Sequence, residues 1–408
     1  MILLAAALVL TQPLLIRRAQ VDISPPELLP LGGYTERHDK LMEPGGDPLY
    51  ARCIELQQGE TKIAIVSVEM LTIPESLHRE VSARIPKDVH LFMQATHTHS
   101  APDSQMLNDR MTFKIPGIST FKRRWLAWYA DKIASAVTAA ESSKPLTCRS
   151  LMEFMATCDA NRSRRAGGKP DKRFILVTTD QKSSSPFALE PTDNLFTYYT
   201  AHPTIYGEDR LQTSGDWVAG LAKIDDDVVL NGALGDISPS ADGPDYHAKF
   251  ESFFNHIDAG LGAKRAMATV IWRPSNPVGF ASASISLGPK VPHPTFAKAN
   301  GIPSSLAQSL VDQFAPSSDD IAVVRVGALA IVGVPGEPTS IVGNQIREAG
   351  EKLGFKTVLV CSHVNGWMGY ILDPEDYDRG GYEASLSFYG REQGNKVVDA
   401  AVAALRKF

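Results

Sequence analysis

The sequence predicts an α/β fold, built as one large domain with a mixed sheet and flanking helices. Short strand-like runs alternate with helical runs throughout the chain, which is the pattern of α/β proteins. The clearest unit consists of two buried strands, Thr61–Val68 and Val89–Ala95, with a helix over residues 74–85 between them. This βαβ unit delivers the end of its second strand directly into the segment THTHS.

The clearest helix covers residues 119–140. Apolar side chains recur at every fourth position and form one stripe: Phe121, Trp125, Tyr129, Ile133 and Val137. This spacing is typical of an amphipathic helix. Ser119 or Thr120 is the expected N-cap, and Pro145 ends the helix because proline cannot continue it.

The C-terminal part of the chain continues the alternation. Its predicted elements are two strands within residues 321–334, a helix over 339–353, a strand at Thr357–Cys361 and a closing helix over 395–406. Gly327 is the expected turn between the two strands, and Gly354 is the expected C-terminal cap of the first helix. Residues 182–190 and 288–304 are rich in Ser, Pro and Gly and are expected to be loops.

Composition indicates a soluble protein with a sizeable core. Of the 408 residues, 43% are hydrophobic and 21% are charged, and the net charge is −5. This balance gives no basic face for nucleic acid. With no internal repeat or linker, residues 19–408 are predicted to form a single domain.

The N-terminal residues 1–18 are open to two interpretations. The run MILLAAALVL is consistent with a signal peptide cleaved near residues 5–7, which would make the protein secreted or periplasmic. It is also consistent with an N-terminal extension before a first strand at residues 19–23. In that case the protein would be cytoplasmic. The run is too short to span a bilayer.

The four cysteines do not form a disulfide framework in a chain of this length. Cys148 and Cys158 would meet if the segment between them folds back. Buried thiols are the favoured interpretation, since cysteine is among the most buried residue types.

His97 and His99 are the first candidates for chemistry. Side chains two residues apart on an extended strand point to the same face, so both imidazoles are expected to face one pocket. The flanking Thr96, Thr98 and Ser100 add hydroxyl groups and little bulk. A metal or catalytic site is favoured over two structural histidines.

Two more candidates follow strand-like runs. His202, in AHPTIYG, comes after the aromatic run at residues 196–199; it is either a ligand or a structural histidine. Ser238, in GALGDISPS, lies on a tight turn that would present its hydroxyl, or it only stabilises the turn.

Three further segments carry polar candidates with equally open roles. Glu337, in VPGEP, would need a cation such as a metal if it were buried, or else it starts a helix. Tyr370 and Tyr382 lie in a Tyr-rich segment and either serve a site or only pack. Arg162, in DANRSRR, would polarise a carbonyl or bind an anion, or it is a solvated turn residue.

Taken in order, these segments resemble the neutral/alkaline non-lysosomal ceramidase family. That family carries an ATHTHS segment, an NRS segment, a second zinc histidine, a GDxSPN segment, a PGE segment and a Tyr-rich segment ending in YE. Here the corresponding stretches read ATHTHS, NRS, AHPTIYG, GDISPS, PGE and YE. The likeness extends over nearly the whole chain, from about residue 20 to about residue 390.

The resemblance implies one Zn²⁺ per chain. Carried over position by position, the zinc ligands are His97, His202, Glu337 and Tyr370. The same transfer gives the catalytic residues His99, Arg162, Ser238 and Tyr382. Two imidazoles, a carboxylate and a phenol oxygen suit zinc and leave room for water.

The implied activity is a zinc-dependent hydrolase that cleaves an N-acyl amide, with ceramide or a related lipid amide as first candidate. Zinc would activate water and polarise the carbonyl, while His99 acts as general acid or base. Tyr382 and Arg162 would stabilise the oxyanion or orient substrate. Ser238 would attack as a nucleophile or orient the water.

The sequence departs from the family in ways that leave the substrate open. Ser240 replaces the family's Asn, His202 lies in a different local context, and the expected form is a short one without a C-terminal immunoglobulin-like domain. An ester, a small non-lipid amide, or a non-catalytic protein with the same fold are the alternatives. A lipid substrate would bring peripheral membrane contact.

Overall fold

The computed structural model describes residues 12–179, 194–225, 227–263 and 269–408, and these ranges form an α/β fold as predicted. The strands are β1 (Leu14–Asp22), β2 (Tyr50–Gln58), β3 (Thr61–Val68), β4 (Val89–Ala95), β5 (Leu146–Cys148), β6 (Leu151–Thr157), β7 (Asn161–Ser163), β8 (Arg173–Thr179), β9 (Asn194–Tyr199), β10 (Val228–Asn231), β11 (Ile237–Pro239), β12 (Thr269–Trp272), β13 (Val278–Ser284), β14 (Asp320–Val326), β15 (Leu329–Gly333), β16 (Glu337–Pro338), β17 (Thr357–Cys361) and β18 (Tyr370–Ile371).

Helices lie between the strands along the chain. They are α1 (Glu75–Arg84), α2 (Arg123–Ser142), α3 (Asp216–Asp225), α4 (Tyr246–Ala263), α5 (Phe296–Ala299), α6 (Ser304–Phe314), α7 (Ser340–Lys352), α8 (Pro374–Arg379), α9 (Tyr382–Ser385) and α10 (Gln393–Leu405). No helix in the described ranges is long and apolar enough to cross a membrane.

The strands form three larger mixed sheets and two small two-stranded ones. The strand orders are β4-β3-β2-β1-β5, β10-β9-β8-β6-β12 and β13-β14-β15-β17, with β11-β7 and β16-β18 as the small sheets. Each larger sheet contains one parallel pair: β3 with β4, β9 with β10, and β15 with β17. The other strand pairs of these sheets are antiparallel.

One apolar cluster joins the three larger sheets. Ile65 of β3, Phe196 of β9 and Ile331 of β15 belong to the same set of buried side chains. A second cluster packs α2 against the first sheet, where Trp125 and Ile133 lie on the buried stripe. Because the sheets share a core, the ends of their parallel strands are held in a fixed relation.

Most predicted elements agree with the structure. The strands Thr61–Val68, Val89–Ala95 and Thr357–Cys361 have the predicted limits, and Gly327 forms the turn between β14 and β15 with a positive φ of 61°. All four cysteines are buried and in no disulfide, as favoured.

Three predicted details are wrong. Helix α2 begins at Arg123, after Lys122, with no side-chain cap, and Ser119 lies in the preceding loop, where its amide donates to Asp103 Oδ2 at 2.7 Å. The first strand begins at Leu14 rather than residue 19. The region 288–304 contains the short helix α5.

Residues 1–11 and the predicted loop 182–190 lie outside the described residues. The signal peptide and the 1–18 boundary therefore stay predictions.

Candidate metal centre

His97 and His99 lie just beyond the carboxyl end of β4, and their rings face each other. Their Nε2 atoms are 3.3 Å apart, and both side chains line one cavity, which confirms the shared pocket. The predicted reason, an extended strand, is wrong. The strand ends at Ala95, and His97 has a left-handed φ of 72°.

His97 and His202 are each anchored through Nδ1. The His97 Nδ1–H donates to the Leu71 carbonyl at 2.8 Å, and the His202 Nδ1–H donates to the Ile237 carbonyl at 2.9 Å. Because a carbonyl only accepts, both rings carry their proton on Nδ1 and a lone pair on Nε2. Metal-binding histidines are held in this way by backbone carbonyls.

Glu337 lies between the two anchored histidines. Its Oε2 atom is 3.6 Å from His97 Nε2 and 3.5 Å from His202 Nε2. This oxygen is buried and has no hydrogen-bond partner among the described residues. A buried carboxylate oxygen without a partner is costly, so the position suits a cation.

The spacing of these donors fits a zinc ion. Tetrahedral donors at about 2.0–2.2 Å from zinc lie roughly 3.3–3.6 Å from one another. The separations from Glu337 Oε2 to the Nε2 atoms of His97 and His202 are 3.6 and 3.5 Å. The residues present therefore fit a bound metal ion.

Tyr370 completes the predicted ligand set beside Glu337. The two residues pair in the parallel sheet formed by β16 and β18, and the buried phenol of Tyr370 interacts with the Glu337 carboxylate. Tyr382 begins α9, with its ring centroid 5.7 Å from that of Tyr370. Its side chain is 61% exposed, so Tyr382 lies on the open side of the site.

His363 is a further histidine of this cluster that the sequence analysis missed. It follows β17 by two residues, as His97 follows β4. Its ring stacks on that of His97 with centroids 4.1 Å apart, and its Nε2 is 3.9 Å from Glu337 Oε1. The position two residues after a buried strand was the signal that could have revealed it.

Two buried amides clamp the strand ends that carry the histidines. Asn231 Nδ2 donates to the carbonyls of Thr96 at 3.0 Å and Ala201 at 2.9 Å, which directly precede His97 and His202. Gln94 Nε2 donates to the carbonyls of Asn231 at 2.6 Å and Ser362 at 2.8 Å. Ser362 precedes His363, so the amides join all three strand ends.

Arg164, rather than Arg162, is the arginine of the NRSRR segment that lines the cavity. Its Nη1 lies 3.4 Å from His202 Nδ1 and donates to Ser238 Oγ at 3.3 Å. Its Nε donates to Glu383 at 3.1 Å. Arg162 is exposed and pairs with Ser238 across β7 and β11.

Ser238 therefore touches the site through Arg164. Neither Ser238 nor Arg162 belongs to the described lining of the cavity. Arg164 carried no separate signal in the sequence, since three arginines within four residues give no indication of which one lines the cavity.

Burial sets the protonation of the cluster. It lowers the pKa of His97, and it lowers that of His202 to about 4. Burial also lowers the pKa of His99 and His363 well below the ordinary value. For Glu337, burial acts to raise the pKa, but the neighbouring imidazoles hold it well below its usual range. Neutral imidazoles and an ionised carboxylate are the forms that bind metal.

The cluster opens into a cavity of about 1020 Å³. Part of the lining is apolar and includes Leu71, Ile118, Trp367 and Leu386. Charged side chains lie among them, including Arg164, Arg165, Asp376 and Glu383. Several of these pair with one another, such as Arg165 with Glu383 at 2.9 Å.

The family described as neutral/alkaline non-lysosomal ceramidase, N-terminal, matches residues 301–399. This segment contains Glu337, His363, Tyr370 and Tyr382. Within this segment the chain is thus similar to the neutral/alkaline ceramidases, which agrees with the predicted resemblance. The histidines of the N-terminal half lie outside the matched segment.

Two curated relatives share short stretches with the chain. The neutral ceramidase of Mycobacterium tuberculosis is 31% identical over 74 residues, which cover 17% of this chain and 12% of that protein. Neutral ceramidase 2 of Arabidopsis thaliana is 31% identical over 88 residues, or 19% of this chain and 12% of that protein. The matched stretches are therefore a small part of these relatives.

Solved structures extend the likeness to the fold of nearly the whole chain. The neutral ceramidase from Pseudomonas aeruginosa matches with a TM-score of 0.75 and 16% identity, over 97% of this chain and 75% of that one. A ceramidase complexed with C2 matches with the same TM-score and identity, over 97% and 76%. This likeness shows a shared fold that includes the N-terminal histidines.

Proposed function

We propose that this chain is a zinc-dependent hydrolase that cleaves an N-acyl amide bond, with ceramide or a related lipid amide as its first substrate candidate. The observation that carries the proposal is the convergence of His97, His202 and Glu337. The three residues are far apart in the sequence. The fold nevertheless brings Glu337 Oε2 to 3.6 Å from His97 Nε2 and 3.5 Å from His202 Nε2. Structural histidines would instead use both ring nitrogens in hydrogen bonds.

The residues that would hold zinc are His97, His202, Glu337 and Tyr370. A zinc ion supplies Lewis acidity, which polarises a carbonyl and activates water. Because both Nδ1 atoms are anchored to carbonyls, both Nε2 lone pairs would be available to the ion. The nearby Arg164 guanidinium is suited to stabilise negative charge on a substrate oxygen.

His99 is proposed to move the proton. Its Nε2 faces the cluster, and its Nδ1 is buried with no hydrogen-bond partner among the described residues. Without a partner on Nδ1 neither tautomer of the ring is fixed, so His99 can take up and release a proton. Tyr382, on the open side, is proposed to orient the substrate carbonyl.

Ser238 has two candidate roles, nucleophile or positioning group for water. Its Oγ accepts from Arg164, which is consistent with both roles. A covalent adduct trapped on Ser238 would support the nucleophile. Incorporation of labelled solvent oxygen into the product without any adduct would support the positioning role.

The apolar part of the lining supports a lipid amide. Leu71, Ile118, Trp367 and Leu386 give an acyl chain a surface to contact, and the relatives are named neutral ceramidases. Burial of each methylene contributes about 0.8 kcal/mol. Longer acyl amides should therefore bind more tightly until the apolar surface is covered.

The test combines metal analysis with a panel of N-acyl amides of increasing chain length. The expected result is chelator-sensitive fatty acid release that zinc restores. The variants His202→Asn and Glu337→Gln should lose it, while the surface variant His247→Asn should keep it, since His247 is exposed. Zinc-loaded protein that cleaves no amide in the panel would contradict the amide assignment.

A second candidate is an ester or a small non-lipid amide as substrate. The charged residues of the lining, such as Arg164 and Glu383, favour this reading because a polar surface does not suit a long apolar chain. Matched ester and amide substrates with short and long acyl groups separate the candidates. Preference for short acyl groups would favour the second.

A further inference from the structure

We propose that His363 and Glu337 form a second metal position, beside the one served by His97 and His202. It would take a divalent transition-metal ion such as zinc or cobalt. The inference rests on the proposed function, because Glu337 is shared between the two positions. It also raises the expected content from one ion to two per chain.

The state of the His363 ring is the first observation. The residue is fully buried, and neither Nδ1 nor Nε2 has a hydrogen-bond partner among the described residues. An imidazole has at least one N–H and one lone pair in its neutral form. Leaving both unsatisfied in the interior costs free energy, which a metal bound at Nε2 would offset.

The orientation of the ring is the second observation. The His363 and His97 rings are stacked, with centroids 4.1 Å apart and planes only 15° from parallel. An imidazole lone pair lies in the plane of its ring, and the bond to zinc is about 2.0–2.1 Å long. A single ion cannot lie in two nearly parallel stacked planes. His363 would therefore hold a separate ion from the one that His97 would hold.

The Glu337 carboxylate is the third observation, because its two oxygens face different histidines. Oε2 lies 3.6 Å from His97 Nε2 and 3.5 Å from His202 Nε2. Oε1 lies 3.9 Å from His363 Nε2, and the ligand atoms of His97, Glu337 and His363 all fall within 4.8 Å of one another. With one oxygen toward each position, Glu337 would contribute to both.

The separation of the stacked rings agrees with this arrangement. Ions in two-metal hydrolytic sites lie about 3.5–4 Å apart, close to the 4.1 Å between the ring centroids. Oε1 also accepts from Trp367 Nε1 at 3.3 Å, which is longer than a usual N–H···O bond. This long contact leaves Oε1 available to a metal.

The test is the metal stoichiometry of the full chain after stripping with chelator and reloading with zinc or cobalt. The variant is His363→Asn, because position 363 has a left-handed φ of 55° that asparagine tolerates. His293→Asn is the matched control, since His293 is also buried but contacts Thr295 and Tyr377 instead. We expect two ions in the unaltered protein and the control, and one in His363→Asn.

A second measurement needs no variant. Cobalt added to the unaltered apoprotein should saturate at two equivalents. The electron paramagnetic resonance signal of the first ion should weaken when the second ion binds, because exchange coupling between the two ions reduces it. Saturation at one equivalent, or two ions retained by His363→Asn, would overturn the second position while leaving the proposed function intact. A chain that binds no ion would overturn both proposals.

Discussion

The histidines of the cluster fall into two pairs that differ in how their rings are held. His97 and His202 each donate Nδ1–H to a backbone carbonyl. His99 and His363 have no partner for Nδ1 among the described residues. The tautomer and ring orientation of the first pair are therefore set without a metal, whereas the tautomer of the second pair is set by whatever binds to it.

This difference assigns different work to the two pairs. An anchored ring loses little entropy when it binds metal and presents a single tautomer. An unanchored ring can change its protonation and its partner. The comparison therefore predicts that the anchored pair and Glu337 dominate metal affinity, and that His99 acts in the reaction.

The largest expected effect is the loss of metal on Glu337→Gln. Removing the only carboxylate of the predicted ligand set should weaken zinc binding by more than about 100-fold. Loss of a residue that only hydrogen-bonds to a ligand already costs up to about 100-fold, and loss of a ligand should cost more. Competition with a chelating indicator measures the affinity. Glu375→Gln, on the exposed face of α8, is the control and should change nothing. Unaltered affinity in Glu337→Gln would remove Glu337 from the ligands.

The next effect is a pH dependence of stability in the metal-free protein. The pKa of His202 is about 4 in the folded state, against about 6.5 in an unfolded chain. Its contribution to stability is therefore complete above pH 6.5 and is lost as the pH falls toward 4. The loss is about 3 kcal/mol at most.

Urea unfolding of the unaltered protein and of His202→Asn, at pH 7 and pH 4.5, isolates this contribution. The unaltered protein should lose more stability on acidification than the variant does. Equal losses would show that His202 is not held neutral by burial.

A smaller effect is expected from the amide clamp. Asn231→Ala leaves the carbonyls of Thr96 and Ala201 without this donor, which costs about 1–3 kcal/mol of stability. Zinc affinity should fall about 10- to 100-fold, as for other supporting partners of ligands. Asn344→Ala, which removes two side-chain hydrogen bonds outside the site, to the Lys169 carbonyl and from Arg347, is the matched control. A loss of stability with full zinc affinity would limit Asn231 to a structural role.

The smallest effect on affinity is expected for His99→Asn. Zinc binding should weaken by less than about 10-fold, while kcat falls about 10²- to 10⁴-fold, as for loss of a general acid or base. One limb of the pH–rate profile should disappear with it. A loss of affinity as large as that of Glu337→Gln would instead make His99 a ligand.

Much of the fold followed from local patterns. Apolar periodicity located β3, β4, β17 and the long helix α2, because a buried strand and an amphipathic helix each leave a repeating pattern. The start of α2 was missed because Asp103, twenty residues away from Arg123, binds the Ser119 amide. A helix start that depends on a distant partner leaves no local signal.

The chemistry was determined by the sequence to the level of residue type. Imidazoles at 97, 99 and 202 and a carboxylate at 337 favoured a metal site of the zinc kind, and their order carried the resemblance to the ceramidases. The tertiary structure decided which donor atoms of these side chains lie close to one another. The three sheets bring the ends of β4, β9, β15 and β17 together, so His363 joins the cluster. Arg164, rather than Arg162, lines the cavity. These relations arise from packing between sheets, and packing between distant segments is not encoded in any one stretch of sequence.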